Sequence, residues 1–77
     1  MIPAAVSKLN IYIGDPIFDR ISEEFDAAQE EGLLSLELDV HNLEDEIRLD
    51  FMTALTVLGY EVGYSSEEEL LEIWFEG

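Results

Sequence analysis

Residues 15–32, DPIFDRISEEFDAAQEEG, hold their own start and stop signals and so commit the chain to one long amphipathic helix around which the rest must be arranged. Asp15 is a strong N-cap residue, Pro16 suits the first helical position, and Gly32 suits the left-handed position just past the end. Ile17, Phe18, Ile21, Phe25 and Ala28 recur at helical spacing and form the side that must be buried. The outward side breaks two rules. Glu30 and Glu31 stand in the last turn, against the negative end of the helix dipole, at a cost of a few tenths up to about 1 kcal/mol each. Asp19, Glu23, Asp26 and Glu30 recur at i, i+4, i+7 and i+11, which makes one carboxylate stripe. Glu24 and Glu31 widen it, only Arg20 interrupts it, and at 1.5 Å per residue it runs for about 16 Å. Lysines that would give i,i+4 support are missing from it, and like charges at that spacing cost a few tenths of a kcal/mol per pair.

The flanking segments read as strands on which such a helix can lie. LNIYIG (9–14) alternates, with Leu9, Ile11 and Ile13 on one face and Asn10 and Tyr12 on the other. LLSLELDV (33–40) alternates again, burying Leu34, Leu36, Leu38 and Val40 and presenting Ser35, Glu37 and Asp39. Asn42 then reads as an N-cap with Asp45 in the acidic position of a capping box. Leu43, Ile47, Phe51, Ala54, Leu55 and Leu58 form the stripe of a second helix that stops at Gly59. A strand over 60–64, a turn over 65–68 and a strand over 69–76 complete the chain, with Leu71, Ile73 and Phe75 on one face. SSEEELLEIWF also resembles a short capped helix, but Ile73, Trp74 and Phe75 favour a strand. The order β-α-β-α-β-β predicts one α/β two-layer domain over residues 1–77. It has a four-stranded sheet built by two right-handed crossovers and a terminal hairpin, with both helices on one face. The opposite face is then open and displays Asn10, Tyr12, Ser35, Glu37, Asp39, Glu61, Glu72, Trp74 and Glu76.

The chain is 48% hydrophobic with eight aromatic residues among 77, enough to fold despite a net charge of −16 from 19 Asp and Glu against Lys8, Arg20 and Arg48. Solubility needs a charge of only about 2 to 8 in magnitude, and the excess opposes the compact state by self-repulsion. Such a surface does not bind nucleic acid or anionic lipid and attracts basic surfaces instead. The absence of cysteine excludes disulfides, thiol nucleophiles and thiolate metal sites and suits a reducing compartment. MIPAAVSKLN lacks the basic and apolar regions of a signal peptide, and no apolar run approaches the roughly 18 residues of a membrane span, so a cytoplasmic location is expected.

Catalytic and cofactor chemistry finds little to work with. With so many acids, some carboxylate pair falls at any chosen distance by chance. His41 is the single histidine and is expected at a strand-to-helix junction, in a structural or surface role. No serine lies in a nucleophile elbow or in the Asp-Ser-Leu setting of an acyl carrier. NLEDEI and SSEEEL lack the alternating ligands and central glycine of a calcium loop, and the glycines form no phosphate-binding loop. The expectation is a protein with no cofactor and no metal that is not an enzyme.

With its short length, strong negative charge, absence of cysteine and absence of a catalytic signature, the chain resembles in composition the small acidic DNA-mimic inhibitors of phages and mobile elements, a group that includes anti-CRISPR proteins. The resemblance implies an acidic surface that occupies the Lys- and Arg-lined DNA site of a defence complex. The expected contact surface is led by Asp19, Glu23, Glu24, Asp26, Glu30 and Glu31, with Glu37, Asp39, Glu72 and Trp74 of the open face second, and Trp74 or Tyr12 as an aromatic anchor. The expected partner is a basic nucleic-acid-binding protein or complex. An antitoxin-like or regulatory module that neutralises one basic protein through an apolar-centred interface is the alternative. A halophile domain whose acids serve hydration is a third reading. A monomer is favoured; the edge of the terminal hairpin offers a homodimer seam as the other state.

Overall fold

Two layers, one of helices and one of strands, enclose the apolar side chains in the computed structural model, which describes residues 3–75. In chain order they are a one-turn helix α1 (Ala4–Ser7), a 3-10 helix (Lys8–Tyr12), α2 (Pro16–Glu31), β1 (Ser35–Asp39), α3 (Asp45–Val57), β2 (Glu61–Ser65) and β3 (Leu70–Trp74).

Helix α2 forms as its ends dictate. Asp15 Oδ1 accepts from the backbone N–H groups of Ile17 and Phe18, both at 3.0 Å, and Pro16 opens the helix. Gly32 takes the left-handed conformation (φ 72°), and the N–H groups of Gly32 and Leu33 close the carbonyls of Gln29 and Ala28 at 3.1 Å each. This is a Schellman-type stop, and it needs a residue without a Cβ penalty at position 32. Phe18, Ile21 and Ala28 are buried, as the stripe requires.

The sheet is three-stranded, in the order β1-β3-β2, with both neighbouring pairs antiparallel. It follows that β1 and β2 run parallel on either side of β3. The crossover through α3 therefore leaves a vacant central position, which the hairpin returns to fill. Register places Leu36, Ile73 and Val62 in one row and Leu38, Leu71 and Tyr64 in the next, all on the core face. Helix α2 lies against β1 and α3 against β2. Ile21, Leu38, Leu71 and Ile73 are sealed from solvent at the centre. Each of these would cost about 2 to 5 kcal/mol on truncation to alanine.

The structure corrects the sequence-derived architecture at four places. The segment expected as a first strand is instead the 3-10 helix, preceded by the one-turn α1, so there are three α-helices rather than two and an antiparallel sheet of three strands rather than four, with only one crossover. Five alternating residues satisfy a period of two and a period of three almost equally. In the 3-10 turn Leu9 and Tyr12 eclipse each other and pack on the core, while Ile11 and Ile13 stay 69% and 70% exposed. Second, α3 is capped at Glu44, with no side-chain cap bond, and Asn42 instead takes a left-handed turn conformation (φ 68°). Third, Leu34 and Leu58, expected in the core, are exposed, because each lies beyond the end of its element. Fourth, Asn10 and Tyr12 are not on the open sheet face. The Tyr12 ring packs 5.8 Å from that of Phe18, and its hydroxyl donates to the Asp50 carboxylate. Residues 70–74 form a strand and not the competing helix. Glu76 lies outside the described residues.

Candidate acidic interaction surface

The buried residues of α2 fix where its acids point. At 100° per residue, the mean direction of Asp19, Glu23, Asp26 and Glu30 falls within roughly 20° of directly opposite the mean direction of Ile17, Phe18, Ile21, Phe25 and Ala28. The stripe is thus the outermost line of the helix, with Glu23, Asp26 and Glu30 exposed and Asp19 half-buried at its start. Asp19 Oδ1 accepts a long bond from the Gly14 N–H, at 3.4 Å. Glu31 is exposed in the last turn.

Among the described residues each of the three basic side chains is already engaged. Lys8 Nζ lies 3.2 Å from Asp50, Arg20 Nη1 lies 3.5 Å from Glu24, and Arg48 Nη1 lies 2.7 Å from Asp45. Arg20 also donates to the Asp39 backbone carbonyl, which joins α2 to the end of β1. Arg48 stacks 4.1 Å over the Tyr64 ring and so ties α3 to β2. The cations therefore join elements and leave the stripe unneutralised. Glu24, flanking it, is the member that has a cationic neighbour.

The open face of the sheet carries the second group. Glu37 stands directly across from Glu72, a like-charge cross-strand pair that weakens the sheet. Asp39 points to the same side, but its Oδ1 accepts from the His41 N–H at 2.9 Å and so shapes the turn after β1. Trp74, between Ser35 and Glu61 in register, is 38% exposed. Its ring lies over Gly63, where an added Cβ would meet it at 3.5 Å. Trp74 thus covers backbone that glycine leaves bare. Since the helices cover one face of the sheet and these residues occupy the other, the α2 stripe and the open face look in opposite directions, and one flat partner surface meets only one of them.

His41 sits at the junction between β1 and α3 and pairs through Nδ1 with the Glu69 carboxylate. That hydrogen bond first, and the charge of Glu69 second, push the imidazole above its ordinary value. The pair fastens the β1–α3 turn to the β2–β3 turn, where Glu69 holds a left-handed conformation (φ 54°) and its carbonyl accepts from Val40 N–H at 2.9 Å. Among the described residues no group of three or more Asp, Glu or His is placed to hold a metal ion. No helix among them is long and apolar enough to cross a membrane.

Sequence reasoning missed an apolar feature near the C-terminal end of α2. Leu33 and Leu34 are both exposed beside the half-buried rings of Tyr60 and Phe75. The available signal was two consecutive leucines, which strict strand alternation cannot bury together.

Comparison with protein-family models, curated proteins and solved structures finds no match to this chain.

Proposed function

We propose that this protein is a stoichiometric inhibitor, not an enzyme, that works by nucleic-acid mimicry in the bacterial cytoplasm. The outer line of α2 occupies the Lys- and Arg-lined DNA site of a defence complex such as a CRISPR effector. The observation that carries the reading is the ladder Asp19, Glu23, Asp26 and Glu30, which faces away from the core and has no cationic partner among the described residues. Four charges over about 16 Å of helix give an axial spacing of roughly 5 Å. That lies within a factor of two of the about 3.4 Å of a single nucleic-acid strand. The ladder is held on a regular helix, so the spacing is fixed before the partner arrives and little ordering entropy opposes binding.

The open face is secondary in this reading, because one part of the Trp74 ring lies against Gly63 and Asp39 shapes its turn. An antitoxin-like interface centred on Trp74 draws less support for the same reason.

The test is capture of partners from a bacterial lysate on the immobilised protein, with and without excess duplex DNA. The expected result is retention of a basic nucleic-acid-binding protein that DNA displaces. A triple variant, Glu23→Lys, Asp26→Lys and Glu30→Lys, should lose that partner. A partner that DNA does not displace and the triple variant retains would overturn mimicry.

A further inference from the structure

We propose that a cleft at the C-terminal end of α2 docks a segment of the basic partner in which a large apolar side chain is flanked by Lys or Arg. The inference deepens the reading above and rests on the partner being basic. Gln29, Gly32, Leu33, Leu34, Tyr60 and Phe75 line a space of about 330 Å³. That is at the lower end of the size of small-ligand pockets and enough for one large side chain.

The walls are fixed. Phe25, Tyr60 and Phe75 pack edge-on or tilted at ring-centroid distances of 5.5 to 5.9 Å, and Gln29 Nε2 donates to the Tyr60 hydroxyl at 2.6 Å. The Leu33 N–H is bonded to the Ala28 carbonyl, and the Leu34 carbonyl accepts from Phe75 N–H at 2.9 Å. With its backbone so committed, this link leaves Leu33 43% and Leu34 66% exposed.

Charge selects the occupant. Glu30 and Glu31 stand in the last turn of α2, next in sequence to Gln29 and Gly32 of the lining, and both are exposed. Neither has a cation within 4.0 Å among the described residues. A purely basic segment would leave the leucines wet, and a purely apolar one would leave the carboxylates unmatched. A second copy of this chain would bring a charge of −16 against a charge of −16. An apolar side chain between cations satisfies both parts, and it gives Glu30 and Glu31 a use at the helix end where the dipole opposes them.

The experiment follows backbone amide shifts of the full-length protein during titration with three synthetic hexapeptides. These are Lys-Arg-Leu-Phe-Arg-Lys, its apolar-free control Lys-Arg-Ser-Ser-Arg-Lys, and its charge-free control Ser-Ser-Leu-Phe-Ser-Ser. The first should shift Leu33, Leu34, Tyr60 and Phe75 and bind at least about tenfold more tightly than either control. Leu34→Ser, at an exposed position, should remove that advantage while the spectrum stays dispersed. If the apolar-free control binds as tightly, with shifts along Asp19 to Glu30, the cleft proposal fails while mimicry stands. Equal binding by the charge-free control overturns the charge selection. Absence of cleft shifts with all three peptides at about 1 mM overturns the site itself. Failure of mimicry is read separately, in the DNA-displacement test.

Discussion

Tyr12 and Asp50 join the 3-10 segment to α3, and their contact makes stability depend on pH in a defined way. The Asp50 carboxylate, accepting from the Tyr12 hydroxyl, pushes the phenol up to about 12. The same bond, reinforced by Lys8 and opposed by desolvation, holds the Asp50 carboxyl below its ordinary value of 3.8. A raised phenol contributes stability that is complete below the unfolded value near 10 and is lost as pH climbs through its folded value near 12. A depressed carboxyl contributes stability that is complete above 3.8 and is lost as pH falls through its folded value. Tyr12→Phe should therefore be less stable than the parent by a constant margin from about pH 5 to about pH 9, and the margin should shrink at both extremes. Urea midpoints of the two proteins across pH measure it, and the His41–Glu69 pair, common to both, cancels. A margin that does not change with pH would show that the contact contributes only packing. The sequence did not disclose this contact, because alternation placed Tyr12 on a strand and Asp50 is 38 residues away.

At the scale of the element, α2 was legible at both ends and along both faces. N-cap, Pro, apolar stripe and terminal Gly all act within one or two turns, so no distant contact could overrule them. Its acids carry a local cost. Glu30→Lys replaces a repulsive Asp26–Glu30 pair at i,i+4 by an attractive one and puts a cation at the negative end of the dipole. The variant should gain about 1 kcal/mol, read as a higher urea midpoint at unchanged slope. The same change should weaken capture of the basic partner. Stability gained with binding lost is the pattern expected where a local rule is broken for function. A midpoint that stays put or falls would remove the cost on which that reasoning depends.

For the whole molecule, a charge of −16 on 77 residues makes salt act in two opposite directions. Raising ionic strength from about 0.01 M to 0.15 M shortens the screening length from about 30 Å to about 8 Å. Repulsion among the α2 ladder, Glu37, Glu72 and Glu61 is weakened, so the unfolding temperature should rise over that range. Attraction to a basic partner is weakened by the same screening, so capture should fall. A melting temperature insensitive to salt would mean that the carboxylates are too well solvated to strain the fold. Stability that keeps rising into molar salt, without any partner, would instead favour a halophile domain.

Periodicity and caps that act over a few residues made α2, the β1 and hairpin strands, the apolar face of α3 and the outward ladder of acids legible before any fold was known. Long-range packing settled the rest. Whether residues 9–13 became strand or 3-10 turn depended on contacts with the core, on which Leu9 and Tyr12 pack while Ile11 and Ile13 stay exposed. The central place of β3, the partition of acids onto opposite faces and the cleft beside Leu34 depend on which strands pair. Local patterning sets which side of an element is apolar; long-range packing sets which neighbour that side meets.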